Sequence, residues 1–218
     1  MPLRFFQRSQ PSADKPTRNI ITVVSGLPRS GTSMMMRMLE AGGIPVLTDH
    51  TRSADHSNPK GYYEYESVKR MKEGDTGWVR DARGKAVKVI SALLEYLPPD
   101  YEYRIVFMQR NMSEILASQR AMLIERGENN DRVGDLTLAN LYQKHLARIT
   151  GWIDSQPNLR VIYIDYNKII EDPQLYFVRL VRFLHPIPLD TTKMLSTIET
   201  SLYRQRGDRP DSPTLRQT

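Results

Sequence analysis

Apolar and polar positions along the chain fall into blocks that predict strands and helices in alternation. Ile20 to Ser25 is apolar on both faces, as a central parallel strand is. The unbranched apolar run after it predicts a helix from about Gly31 to Ala41, stopped at Gly42-Gly43, where a glycine can take the left-handed cap. Ile44 to Leu47 predicts a short strand, and its Pro45 favours an edge of the sheet. A helix is expected from Gly61 to about Lys72, a strand from Ala86 to Ile90, and a short helix through Leu93, Leu94 and Tyr96 ending at Leu97-Pro98-Pro99. Arg104 to Arg110 is the next strand, followed by a helix to about Arg126 with Ile115, Leu116, Gln119, Met122 and Leu123 on its inner face. Leu138, Leu141, Tyr142, His145, Ile149, Trp152 and Ile153 recur at threes and fours, the inner face of a long helix from Asp135 to Asp154. His145 reads there as a hydrogen-bonded packing residue. A strand over Arg160 to Tyr166, a helical stretch from Lys168 to Leu184 with Leu175, Val178, Leu180, Val181 and Leu184 apolar, and a last helix from about Thr191 to Leu202 complete the series. Strands alternating with helices specify an α/β fold, a three-layer doubly wound parallel sheet with ligands at the carboxyl ends of its strands.

Composition narrows the class. With 218 residues, the chain is expected to be one α/β domain over 19–203, preceded by a flexible arm at 1–18 and followed by a polar tail at 204–218. Apolar residues make up 39% and charged residues 26%, the proportions of an ordinary globular protein. No apolar run reaches the length of a membrane span and the first residues lack a signal-peptide core, so a cytoplasmic location is the default expectation. The absence of cysteine excludes disulfides and thiolate metal sites. A net charge of +6 implies a surface that attracts anions, but the Lys and Arg residues are scattered rather than gathered in one block, which favours a small polyanion over nucleic acid.

The chemistry concentrates between Gly26 and Ser33. Gly26 and Gly31 have the spacing of a Walker A loop, yet Thr32 stands where the lysine belongs and Ser33 keeps the hydroxyl position. Such a loop turns its N–H groups inward, and the helix that follows adds the positive end of its dipole. Ser30, Thr32 and Ser33 add hydroxyls, and Arg29 moves the cation from the helix start onto the loop.

Other candidates are spread along the chain. Thr48 to Gly61 is a long polar loop; its Asp49, His50, Asp55 and His56 are too irregularly spaced for a recognisable metal site, and no metal is expected. Glu64 and Glu66 are placed at the start of the following helix, where carboxylates are favoured, and Glu64 is also a candidate proton acceptor. Lys88, flanked by Val87 and Val89 in a central strand, would be costly to bury unpaired, a cost that an anionic ligand offsets. Trp78 is expected to anchor its polar stretch or to line a ligand cleft. Arg110 ends a strand, and Ser118 stands in the helix that follows it.

Pro28-Arg29-Ser30-Gly31-Thr32-Ser33 resembles the loop P-[KR]-[ST]-G-T-[TS] of sulfotransferases that use 3'-phosphoadenosine-5'-phosphosulfate (PAPS), and Arg110 to Ser118 resembles their second signature. The resemblance runs from about Ile20 to Leu184 and implies a P-loop fold of the sulfotransferase type. It further implies that the loop holds the 5'-phosphosulfate without a required metal, that Arg110 and Ser118 grip the 3'-phosphate, that Lys88 contacts the sulfuryl group, and that the product is adenosine 3',5'-bisphosphate (PAP). Asn58-Pro59-Lys60-Gly61-Tyr62-Tyr63-Glu64 is similar to a segment of bacterial sulfotransferase-like proteins, and Arg206-Gly207 is the nearest match to a basic segment that wraps the 3'-phosphate. Two departures stand out. Met112 replaces a usual proline, and Ile90 occupies the place of the family's histidine base, which shifts the role of base to Glu64. The implied activity is sulfuryl transfer to a small-molecule or glycan acceptor, with Arg29 and Lys88 stabilising charge on the sulfuryl group. A P-loop kinase or NTPase and a non-catalytic nucleotide binder are the competing readings.

Overall fold

The computed structural model describes residues 19–49, 61–128 and 134–198. Five parallel strands form one sheet in the order β2-β3-β1-β4-β5. They are β1 (Ile21–Gly26), β2 (Val46–Leu47), β3 (Ala86–Lys88), β4 (Tyr103–Gln109) and β5 (Leu159–Asp165). All six residues of β1 are buried, as its central place requires, whereas β2, with Pro45 just before it, lies at an edge. The helices are α1 (Thr32–Ala41), α2 (Glu66–Lys69), α3 (Met112–Glu125), α4 (Asp135–Ser155), α5 (Tyr166–Glu171), α6 (Pro173–Leu184) and α7 (Thr191–Ser196), with 3-10 turns over Arg70–Glu73, Gly77–Ala82 and Ser91–Tyr96.

Two apolar layers cover the sheet. On one face Met35, Met36, Met38 and Leu39 of α1 pack with Phe177, Leu180 and Leu184 of α6 and Met194 of α7. Burying each of these large side chains contributes about 2 kcal/mol. On the other face Ile149 and Ile153 of α4 pack with Trp78, Val79, Leu93 and Leu94 from the 3-10 turns. The connections from β1 and β4 diverge, one leading to β2 and the other to β5. Their carboxyl ends therefore frame a switch point, where α/β sheets place ligands. Among the described residues no helix is long and apolar enough to cross a membrane.

The structure sharpens several sequence expectations. The helix expected from Gly61 starts only at Glu66, because Gly61 and Tyr63 have φ of 87° and 52°, which no helix accommodates. Asp172 interrupts the stretch from Lys168 to Leu184 and caps α6 by accepting from the Leu175 N–H. Leu175, Val178 and Val181 face outward while Tyr176 and Phe177 take the inner positions, and Leu141 likewise faces away from the sheet. Trp78 belongs to the core: it is buried, its indole N–H donates to Asp75 O at 3.1 Å, and its ring meets Tyr65 edge-on at 5.7 Å.

Candidate active site

The loop from Gly26 to Gly31 joins the centre of the sheet to α1, and packing dictates its glycines. A Cβ on Gly26, at φ 143°, would lie 2.6 Å from Met108 O, and one on Gly31, at φ 98°, would lie 2.3 Å from the Tyr166 ring. Among the described residues the buried hydroxyl of Ser30 has no hydrogen-bond partner, which marks a polar position that an anion could complete. Gly31 caps α1 in a left-handed conformation, and Thr32 and Ser33 form its first turn. The orphan N–H groups and dipole of a helix start are thereby presented beside the loop.

Two side-chain clusters flank the loop. On the β4 side, Arg29 donates from Nε to Ser118 Oγ at 2.9 Å, and Arg110 donates from Nη1 to Arg29 O at 3.0 Å. Arg110 also pairs through Nε with Glu114 Oε2 at 2.9 Å, both side chains being almost fully buried. Glu114 Oε1 accepts from the Asn167 side-chain amide at 2.9 Å, and the Arg110 guanidinium lies 4.4 Å from the centre of the Tyr166 ring. Burial pushes the Tyr166 phenol up, against the opposing pull of Arg110. On the β3 side, Lys88 stands beside Val24 in the sheet register. Its ammonium donates to Tyr62 O and, at 3.5 Å, to Ser33 Oγ, while Ser33 Oγ donates to Tyr62 O at 3.3 Å. Glu64 Oε1 lies 4.0 Å from Lys88 Nζ, and Glu64 Oε2 lies 3.2 Å from Lys69 Nζ. A hydrogen bond to the Glu66 carboxylate, assisted by Glu64, holds the Lys69 ammonium above its ordinary pKa.

The sequence candidates thus divide. Arg29, Arg110 and Ser118 meet on one side of the loop, and Ser33, Lys88 and Glu64 meet on the other. Arg29 was expected to share the sulfuryl group with Lys88, but its Nε is directed to Ser118. Glu64 lies before α2 rather than in its first turn, so the helix-start explanation applies to Glu66 alone. Arg206, His50, Asp55, His56 and Asn58 to Lys60 lie outside the described residues. His145 is a packing residue, hydrogen-bonded through Nε2 to Ser91 Oγ at 2.8 Å. Glu114 and Asn167 were missed. The four-residue spacing from Arg110 to Glu114 at a helix start was the available signal for the first; Asn167 had none. No group of three or more His, Asp or Glu side chains is placed to hold a metal among the described residues.

No family model matches the sequence, and no curated protein matches it. Solved structures do match the fold. A sulfotransferase from Mycobacterium tuberculosis is similar at a TM-score of 0.55 and 15% identity, over 85% of this chain and 73% of that one. A mouse sulfotransferase complexed with PAP reaches 0.55 at 16% identity, over 88% and 68%. The sulfotransferase domain from the curacin biosynthetic pathway reaches 0.50 at 16%, over 82% and 77%. Five parallel strands flanked by helices, with the Gly26 to Gly31 loop at the switch point, match the P-loop NTPase-like fold of these sulfotransferases.

Proposed function

We propose that the protein is a sulfotransferase that moves a sulfuryl group from PAPS to a hydroxyl or amine of a small-molecule or glycan acceptor. The observation that carries this reading is the pair of polar clusters on opposite sides of one anion-binding loop, which suits a donor with two separate anionic ends. The loop, Ser30, Thr32 and Ser33 suit the 5'-phosphosulfate; Arg110, Ser118 and Arg29 suit the 3'-phosphate, which ATP lacks. The mouse structure with this fold and bound PAP supports the same choice.

PAPS supplies an activated sulfuryl group. In transfer, the bond from sulfur to the 5'-phosphate oxygen breaks and a bond to the acceptor oxygen or nitrogen forms. In this reading Lys88 stabilises charge on the sulfuryl and bridging oxygens, supported by the Ser33 hydroxyl 3.5 Å from its ammonium. Glu64, next to Lys88, accepts the acceptor's proton, the task left open by Ile90. Arg29 serves the 3'-phosphate side in this arrangement.

Calorimetry with PAP and AMP tests the donor. PAP is expected to bind at least ~100-fold tighter than AMP, from charge-assisted contacts worth about 1.5–3 kcal/mol each; equal binding, or preference for magnesium ATP, overturns the reading. In turnover with PAPS and a panel of phenols, sugars and amines, Glu64→Gln is expected to lower kcat by about 100-fold or more. Unchanged turnover removes Glu64 as the base.

A further inference from the structure

Among the described residues, only Arg29 and Tyr63 hold a left-handed backbone without being glycine, at φ 71° and 52°. One lies in the phosphate loop and the other follows Tyr62, whose carbonyl accepts from Ser33 at the end of that loop. A bulky aromatic in that region is strained unless its surroundings over-determine it, and such strain gathers at functional sites. Arg29 belongs to the loop itself, whereas Tyr63 has no role in the donor contacts above.

Its surroundings show what holds it. The Tyr63 hydroxyl donates to Glu40 Oε2 at 2.6 Å, and its ring packs against the apolar layer that contains α1. Burial first, and Glu40 second, push the phenol pKa up, so it remains a donor throughout the working range. Glu40 is near the end of α1, whose first turn carries Thr32 and Ser33. The bond therefore ties the chain after Gly61 to the same helix that begins at the phosphate loop.

The left-handed turn at Tyr63 has a directional result. On one side, the Tyr62 carbonyl faces Lys88 and Ser33. On the other, Glu64 brings its carboxylate to Lys88, while its own carbonyl accepts from Thr48 Oγ1 at 2.8 Å and from the Asp49 N–H at 3.3 Å. An extended residue in place of this turn would alter the relative directions of those neighbouring groups.

We propose that Tyr63, anchored on Glu40, is a positioning residue that sets Tyr62 O and Glu64 on Lys88. The proposal rests on the roles given above to Lys88 and Glu64, and it fixes which contact outside the reacting groups makes their geometry. Tyr63→Phe and Glu40→Ala remove the anchor, while Glu40→Gln keeps an oxygen that can accept from the phenol.

The full chain with each substitution is labelled with an amine-acylating reagent, and modification of Lys88 is timed by peptide mass spectrometry. Tyr63→Phe and Glu40→Ala are expected to accelerate Lys88 labelling several-fold, and Glu40→Gln to label at the parent rate. In turnover with PAPS, kcat is expected to fall about tenfold or more in the first two, from misplacement of reacting groups, with KM for PAPS within twofold and Glu40→Gln restoring kcat. Parent-rate labelling in both Tyr63→Phe and Glu40→Ala overturns the proposal, as does loss of kcat in Glu40→Gln equal to that in Glu40→Ala. Should PAP fail to bind the parent chain, the sulfotransferase reading falls while the labelling rates still decide the role of Tyr63.

Discussion

On the β4 side of the loop, charges are satisfied by a buried network that joins three elements: the loop through Arg29, α3 through Glu114 and Ser118, and α5 through Asn167. On the β3 side, Lys88 is engaged by one main-chain carbonyl, a loop hydroxyl and a partly exposed carboxylate shared with Lys69. The first arrangement resembles a preorganised receptor, whose guanidinium is fixed before a ligand arrives. The second keeps its cation among neighbours that a ligand oxygen can replace. Binding and transfer should accordingly respond to different substitutions.

The largest effect is expected at Glu114. Removing one partner of a buried ion pair costs about 3–5 kcal/mol, so Glu114→Ala should lose that much stability in urea unfolding. Saturating PAP should recover part of the loss, because a phosphate can replace the missing carboxylate on Arg110. No recovery would separate Arg110 from the 3'-phosphate. Next is Gly31→Val. Its side chain meets the Tyr166 ring, and overpacking costs about 1–3 kcal/mol. Tyr166→Ala in the same chain should return part of it, which a double-mutant cycle measures.

The contrast between the two sides also explains what the sequence disclosed. The loop and its β4 side are encoded by short local patterns: Pro28 to Ser33 specify a turn and a helix start, and Arg110 and Ser118 are a strand end and the helix after it. The parallel α/β architecture follows similarly from apolar strand blocks alternating with blocks of period three to four, whereas the order of the strands in the sheet came from the structure. The β3 side depends on a backbone reversal at Tyr63 and on Glu40, 23 residues earlier in the chain. Tyrosine carries no preference for that conformation, so the run from Gly61 to Glu66 resembled the start of a helix. The inner face of α6 was not assigned from the sequence, for a related reason. Leu175, Val178 and Val181 are apolar at helical spacing, but Tyr176, Phe177 and Leu180 fill the same helix's inner face.

Smaller effects refine the comparison. Ser118→Ala removes one hydrogen bond from Arg29, worth about 1 kcal/mol, and should weaken PAP roughly five-fold while leaving AMP nearly unchanged in calorimetry. The least effect is expected at His145, away from both clusters. Burial, with Arg148 adding to it and Glu95 opposing, lowers its pKa below the ordinary 6.5. The unfolded chain then binds the proton more readily, so the stabilisation is complete above that value and is lost as pH falls through and below it. His145→Gln should flatten the dependence of the urea midpoint on pH in this window, measured against the parent chain.

Tyr166 lies immediately after β5, and its ring fills the space under Gly31 and beside Arg110. The loop at the front of the sequence is thus completed by a residue more than half the chain away. During synthesis, a ribosome-bound fragment that has not yet released β5 contains every residue of the loop motif and both Arg110 and Ser118, yet lacks the surface on which they rest. On the proposed function, donor binding by the nascent protein would wait for β5 to join the sheet, and would then report that this part of the fold is complete.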